Sequence, residues 1–292
     1  MDFDAVLHAI FNFENYGELL ALVQNSLWAG AVLGLLGGLV GTFVMKRDLA
    51  FAVHGISELS FAGAAFALLV GADVVAGSLA GSVVAALILG VMGVRARDKN
   101  STIGVLMPFG LGLGILFLSL YEGRAANKFG LLTGQIVSVG TVQLQVLAGA
   151  AVVVMLALIA IWRPLTFASV DPKVAAARGV PVRGLALGFI VLLGVSVALS
   201  IQIVGALLVL ALLITPAAAA LRVTSSPRLV VLLSVLFAVS ATVGGILLAL
   251  GGRLPISPYV TTLSFLIYVV CRIIGGVRTR RGLNGRTSPV AA

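Results

Sequence analysis

Between Arg183 and Arg222 the chain runs for 38 residues, Gly184 to Leu221, without one charged side chain. As a single helix this run would be about 57 Å long at 1.5 Å per residue, against a bilayer hydrocarbon core of about 30 Å. The run therefore reads as a hairpin of two membrane spans. Arginine flanks both ends, so both ends return to one side, and Gln202 to Gly205 is where the chain is expected to turn.

The rest of the chain repeats this pattern. Apolar residues make up 60% and charged residues 10% of the 292, and the mean hydropathy is +1.19. Spans are expected at 19–45, 49–71, 74–94, 102–121, 144–162, 184–202, 204–221, 229–251 and 258–274, nine in all, with eight as the alternative. The expected fold class is thus an all-α, polytopic integral membrane protein, with a transmembrane domain over 1–275. The stretch 122–141 is only half apolar and is read as a loop with a short helix that re-enters the bundle. The 35 glycines suit this class, because small residues let membrane helices approach closely.

Charge fixes an expected orientation. With nine spans, 16 of the 19 lysines and arginines fall on one side, leaving Arg124, Lys128 and Arg253 on the other. Basic loops stay in the cytoplasm, which places the N-terminus outside and the C-terminus inside. The net charge of +9 is then a product of topology, and no basic groove-reading helix suggests nucleic acid. From Gly276 to Ala292 the chain reads as a basic, disordered cytoplasmic tail. Asp2 and Asp4 stand where a signal peptide would be basic, so the first apolar segment reads as a retained span. Cys271 is the single cysteine, which excludes an intrachain disulfide and a cysteine-rich metal site.

Ionisable groups inside a span are costly and usually mark function. In the second span His54 and Glu58 lie four residues apart on one helical face, with Ser57 beside them. Counted from Asp48, they sit about 9 and 15 Å into the membrane, which puts Glu58 near the midplane. An imidazole and a carboxylate one turn apart can grip a divalent cation or relay a proton. The same pair can also be a buried His–Glu hydrogen bond that joins helices.

A second motif lies outside the membrane. Asp171 is a good N-cap, Pro172 suits the first helical turn, and Gly179 followed by Pro181 stops the helix. The short helix between them is rich in alanine, Ala176 included, and is flanked by Lys173 and Arg178. It reads either as a knob for the groove of a soluble partner or as a plain connector. Further on, Thr215-Pro216 precedes four alanines, where a kink is expected. No Gly-x-x-x-x-Gly-Lys-Ser/Thr phosphate loop, nucleophile elbow or His-Glu-x-x-His motif occurs. Any ATP hydrolysis must come from another polypeptide.

From about Ser26 to Gly275 the sequence resembles a permease of the zinc/manganese ABC importer family. The motifs that carry the resemblance are Val204-Gly205-Ala206-Leu207-Leu208 through Ile214-Thr215-Pro216-Ala217-Ala218, the capped helix from Asp171 to Pro181, and Lys46-Arg47-Asp48-Leu49-Ala50-Phe51 ahead of the second span. The resemblance implies a membrane subunit without enzymatic activity in the bacterial inner membrane. It would hold no resident cofactor, carry Zn or Mn ions, and work as two permease chains with two cytoplasmic ABC ATPases and an extracellular metal-binding protein. Asp171, Pro172, Lys173, Ala176, Arg178 and Gly179 would form the ATPase-coupling helix, and His54 and Glu58 the metal ligands. The family's order is aspartate, then histidine four residues later; His54 and Glu58 reverse it at the same spacing. Competing readings are a metal-chelate permease, an ion-coupled secondary transporter, and a membrane scaffold without transport.

Overall fold

The computed structural model describes residues 16–92, 99–124, 130–131, 139–206, 208–251 and 255–284. Among the described residues these helices follow one another: α1 (Tyr16–Leu22), α2 (Gln24–Lys46), α3 (Ala50–Leu69), α4 (Val74–Met92), α5 (Lys99–Leu120), α6 (Thr141–Val170), α7 (Pro172–Ala177), α8 (Val182–Val204), α9 (Val209–Leu213), α10 (Thr215–Val223), α11 (Pro227–Leu250) and α12 (Ile256–Asn284). No strand occurs among the described residues. Eight of the helices, α2 to α6, α8, α11 and α12, are long and apolar enough to cross a membrane. The chain is a multi-pass, all-α membrane protein.

The long apolar run does fold back on itself. Helix α8 stops at Val204, and Gly205 turns the chain with φ +82, a conformation that costs glycine little. The returning limb, expected as a continuous span over 204–221, is instead broken into the five-residue α9 and the nine-residue α10. Pro216 sits in the first turn of α10 and has no N–H to give to the preceding turn. Membrane backbone of this kind needs other partners. Ser264 of α12 supplies one by donating to the Ala211 carbonyl at 3.3 Å, and Ser257 donates to the Val204 carbonyl at 3.4 Å.

Glycine sets the tightest helix contacts. A Cβ on Gly38 of α2 would stand 2.5 Å from the Val235 Cα of α11, and one on Gly63 of α3 would overlap the Gly77 carbonyl of α4. Where backbones come this close, hydroxyls bridge them. Ser234 donates to the Gly38 carbonyl, Thr242 to the Gly30 carbonyl and Ser60 to the Ser78 carbonyl, each at 2.9 Å. Such interhelical bonds average about 0.6 kcal/mol in membranes, so most of the cohesion comes from the packing the glycines permit.

The two ends of the bundle differ in charge. At one end Lys46, Arg47, Arg183 and Pro172 line a common cavity, and Arg47 donates to Ser169 Oγ at 3.1 Å, tying α2 to α6. At the other, Tyr16 donates to the Leu247 carbonyl and Asn25 to the Val139 carbonyl, both at 3.2 Å. Helix α6 runs through Pro164 to Val170, eight residues past the expected end of that span, and so projects toward the basic end. Helix α12 continues to Asn284, so the first part of the tail expected to be disordered from Gly276 is helical. Arginine is a good helix former, and its charge suits a helix C-terminus. Residues 285–292 lie outside the described residues, as do 125–129 and 132–138 of the expected re-entrant segment. Leu131 is buried in a cluster with Phe61 and Leu118, and its carbonyl accepts from Ala206 N–H at 3.4 Å.

Candidate functional site

The depth of His54 and Glu58 is set by the turn ahead of α3. Asp48 adopts the left-handed conformation, φ +52, which aspartate tolerates better than most residues. Leu49 N–H then donates to the Val44 carbonyl at 2.9 Å and Asp48 N–H to the Met45 carbonyl at 3.4 Å, a Schellman closure of α2. With Leu49 buried against the core, α3 starts at once and carries the pair inward by one and two turns.

His54 Nε2 and Glu58 Oε1 are 3.7 Å apart, with the side chains 33% and 13% exposed. That separation is too long for a hydrogen bond. The His54 Nδ1 is buried and has no hydrogen-bond partner among the described residues. His54 opens on a recess of about 440 Å³ lined by Ala50, Phe51, Met107, Leu210, Ala211, Ile214 and Thr215. The break between α9 and α10 therefore lies beside the imidazole. Glu58 is backed by α5, where a Cβ on Gly110 would stand 3.0 Å from the Glu58 carbonyl carbon. Ser57 reaches the other way and donates to the Ala206 carbonyl at 3.4 Å.

Sequence spacing brought His54 and Glu58 to one face and pointed to the Thr215-Pro216 kink, but not to the position of that kink opposite His54. Nor did it single out Gly110, whose role depends on which helix faces α3. Among the described residues no group of three or more His, Cys, Asp or Glu could hold a metal ion. Within this span the described residues therefore offer one imidazole and one carboxylate.

The second motif is built as the sequence indicates. Asp171 Oδ1 accepts from the N–H groups of Lys173 and Val174, each at 3.0 Å, and Pro172 opens the six-residue α7. Gly179, at φ +80, closes it, with Val180 N–H donating to the Ala175 carbonyl at 3.0 Å. Only Ala175 of this helix is buried, so Lys173, Ala176, Ala177, Arg178 and Gly179 face outward. Arg47, at the same end, is half-buried; burial lowers its pKa, yet a guanidinium remains charged in a protein.

The sequence model of the ABC 3 transport family matches residues 20–275. The chain belongs to the ABC 3 transport family. In such ABC systems this is a transport subunit, not an enzyme, and ATP hydrolysis lies on a separate chain. A manganese transport system membrane protein, MntC, of Halalkalibacterium halodurans is 31% identical over 225 residues, 77% of each chain. The high-affinity zinc uptake system membrane protein ZnuB of Haemophilus influenzae is 24% identical over 257 residues, covering 86% of this chain and 97% of ZnuB. The structure of PsaBC from Streptococcus pneumoniae in complex with Fab matches with a TM-score of 0.79 at 25% identity, covering 89% of this chain and 95% of that one. Membership in the ABC 3 family implies an ATPase and a substrate-binding protein as partners.

Proposed function

We propose that this ABC 3 family chain is the permease of an ATP-driven divalent metal importer, carrying zinc first and manganese second, with His54 and Glu58 as ligands in the path. The observation that carries this reading is an imidazole and a carboxylate one helical turn apart inside a membrane span, with His54 Nε2 3.7 Å from Glu58 Oε1. Two ligand atoms 2.0–2.1 Å from a zinc ion at the tetrahedral angle stand about 3.3–3.4 Å apart. The 3.7 Å between Nε2 and Oε1 comes within a few tenths of an ångström of that. Relatives named for manganese and for zinc bracket the choice of ion. A second copy of the chain would complete the set with another nitrogen and another oxygen.

The decisive experiment reconstitutes the chain with its ATPase in vesicles and follows zinc. Accumulation should require ATP and persist after the proton gradient is collapsed. Uptake that follows the proton gradient at constant ATP would instead make this a secondary transporter.

The orientation proposed is N-terminus outside and C-terminus cytoplasmic in the bacterial inner membrane, supported by the cluster of basic residues at the α7 end. Ser225 is exposed between α10 and α11, in a loop flanked by Arg222 and Arg228. In a Cys271→Ser background, Ser225→Cys should resist an impermeant thiol reagent in intact cells and react in inverted vesicles. The opposite pattern overturns the orientation.

A further inference from the structure

The cavity at the basic end lies apart from His54 and Glu58, neither of which lines it. It has a volume of about 570 Å³ and lies where α2, α4, α6, α7 and α8 meet. One wall carries Lys46, Arg47 and Arg183, with Ser169 beside them and, among the described residues, Asp48 as the only acidic residue in the lining. An apolar wall adjoins them: Leu89 of α4, with Ala186, Leu187 and Ile190, which follow Arg183 along one face of α8. The cations are held in place from behind. Lys46 Nζ stands 5.4 Å from the centre of the Phe43 ring, and the Arg47 guanidinium stands 5.9 Å from that of Phe189 while donating to Ser169. Arg183 at the start of α8 is exposed and closes the basic side.

We propose that this cavity binds the phosphate headgroup of an anionic phospholipid, with the acyl chain along the Ala186–Ile190 face of α8. Free phosphate shares the headgroup chemistry, but the apolar wall gives it nothing to contact. A membrane lipid supplies both halves. Basic pockets between membrane helices near the cytoplasmic surface attract such headgroups, each Lys or Arg adding several-fold to the affinity. Because Pro172 of α7 also lines the cavity, a bound lipid would brace the coupling helix against the bundle.

The test is native mass spectrometry of the complete permease–ATPase complex released from vesicles of equal phosphatidylglycerol and phosphatidylethanolamine. Wild type should retain phosphatidylglycerol in preference to phosphatidylethanolamine. Lys46→Gln with Arg183→Gln should cut that preference by roughly tenfold or more, since two cations are lost. Arg47 is left in place because it ties α2 to α6. Ala186→Trp, which fills the apolar wall and keeps every charge, should also lower retention, and it covers the case in which the charge variant fails to assemble. Inorganic phosphate at millimolar concentration should leave retention unchanged. Equal retention of both lipids by wild type, unchanged retention in both variants, or displacement by inorganic phosphate would each overturn the proposal.

Discussion

Replacing His54 or Glu58 with alanine is expected to abolish zinc uptake while the complex still assembles. Loss of outer-shell partners of a metal ligand already costs 10–100-fold in metal affinity or activity, so loss of a ligand itself should exceed about 100-fold. Assembly should survive because, among the described residues, no hydrogen bond from either side chain joins one helix to another. The 3.7 Å gap is not a hydrogen bond, His54 Nδ1 holds no partner, and alanine is the best helix former. The paired exchange His54→Asp with Glu58→His keeps one imidazole and one carboxylate at the same spacing, and it should retain transport. Exchanging the histidine alone for glutamate should shift preference toward manganese, which favours oxygen ligands. Ligation needs a neutral imidazole and an ionised carboxylate, so acid works against both ligands. Uptake should therefore fall steadily as the medium is acidified, and not recover at lower pH. Zinc uptake at the normal rate by either alanine variant would return the pair to a structural role.

How much of this was legible in the sequence differs from element to element. The eight long helices follow from apolar length, which in a membrane is close to a direct instruction because every backbone group must bond within its own segment. The α7 cap was equally plain. An aspartate, a proline and a glycine at those spacings act locally, and the structure forms the bonds from Asp171 that the spacing requires. The broken limb was harder. Apolar composition over 204–221 is the same for a straight span as for α9 and α10, and only Pro216 signalled a difference. The Ser264 hydroxyl of α12 that meets the Ala211 carbonyl of this limb lies 53 residues away and carries no local signal.

The candidate site shows the same division. His54 and Glu58 share a face because of helical spacing alone. The recess beside His54, the backing of Glu58 by Gly110 and the bond from Ser57 to Ala206 all come from tertiary packing. Glycine at 110 could equally have been one more small residue on a lipid-facing helix. Its meaning appears only when α5 lies against α3 with the Glu58 backbone at its closest point.

Ala176→Glu is expected to uncouple ATP hydrolysis from transport in the assembled complex. A helix of six residues has no stability of its own in water, so α7 keeps its shape only through its attachments. These are the Asp171 cap, the turn at Gly179, and Ala175 buried against the bundle. Lys173, Ala176 and Ala177 then project from the opposite face as positions i, i+3 and i+4. That face is small, exposed and fixed to the end of the 30-residue α6, so a push on it is delivered to a continuous helix that packs on α2 and α8. A carboxylate side chain at 176 adds bulk and an unpaired charge to the centre of the face proposed to dock the ATPase, without touching the cap or Ala175. The complex should then hydrolyse ATP at a rate no longer raised by metal delivery, and zinc accumulation should fall at least about tenfold, as expected when a charge is buried unpaired at an interface. Asp171→Ala should give a milder form of the same defect, because losing an N-cap costs about 1 kcal/mol and leaves the face itself unchanged. Transport at the wild-type rate by Ala176→Glu, with normal ATPase binding, would make α7 a plain connector between α6 and α8.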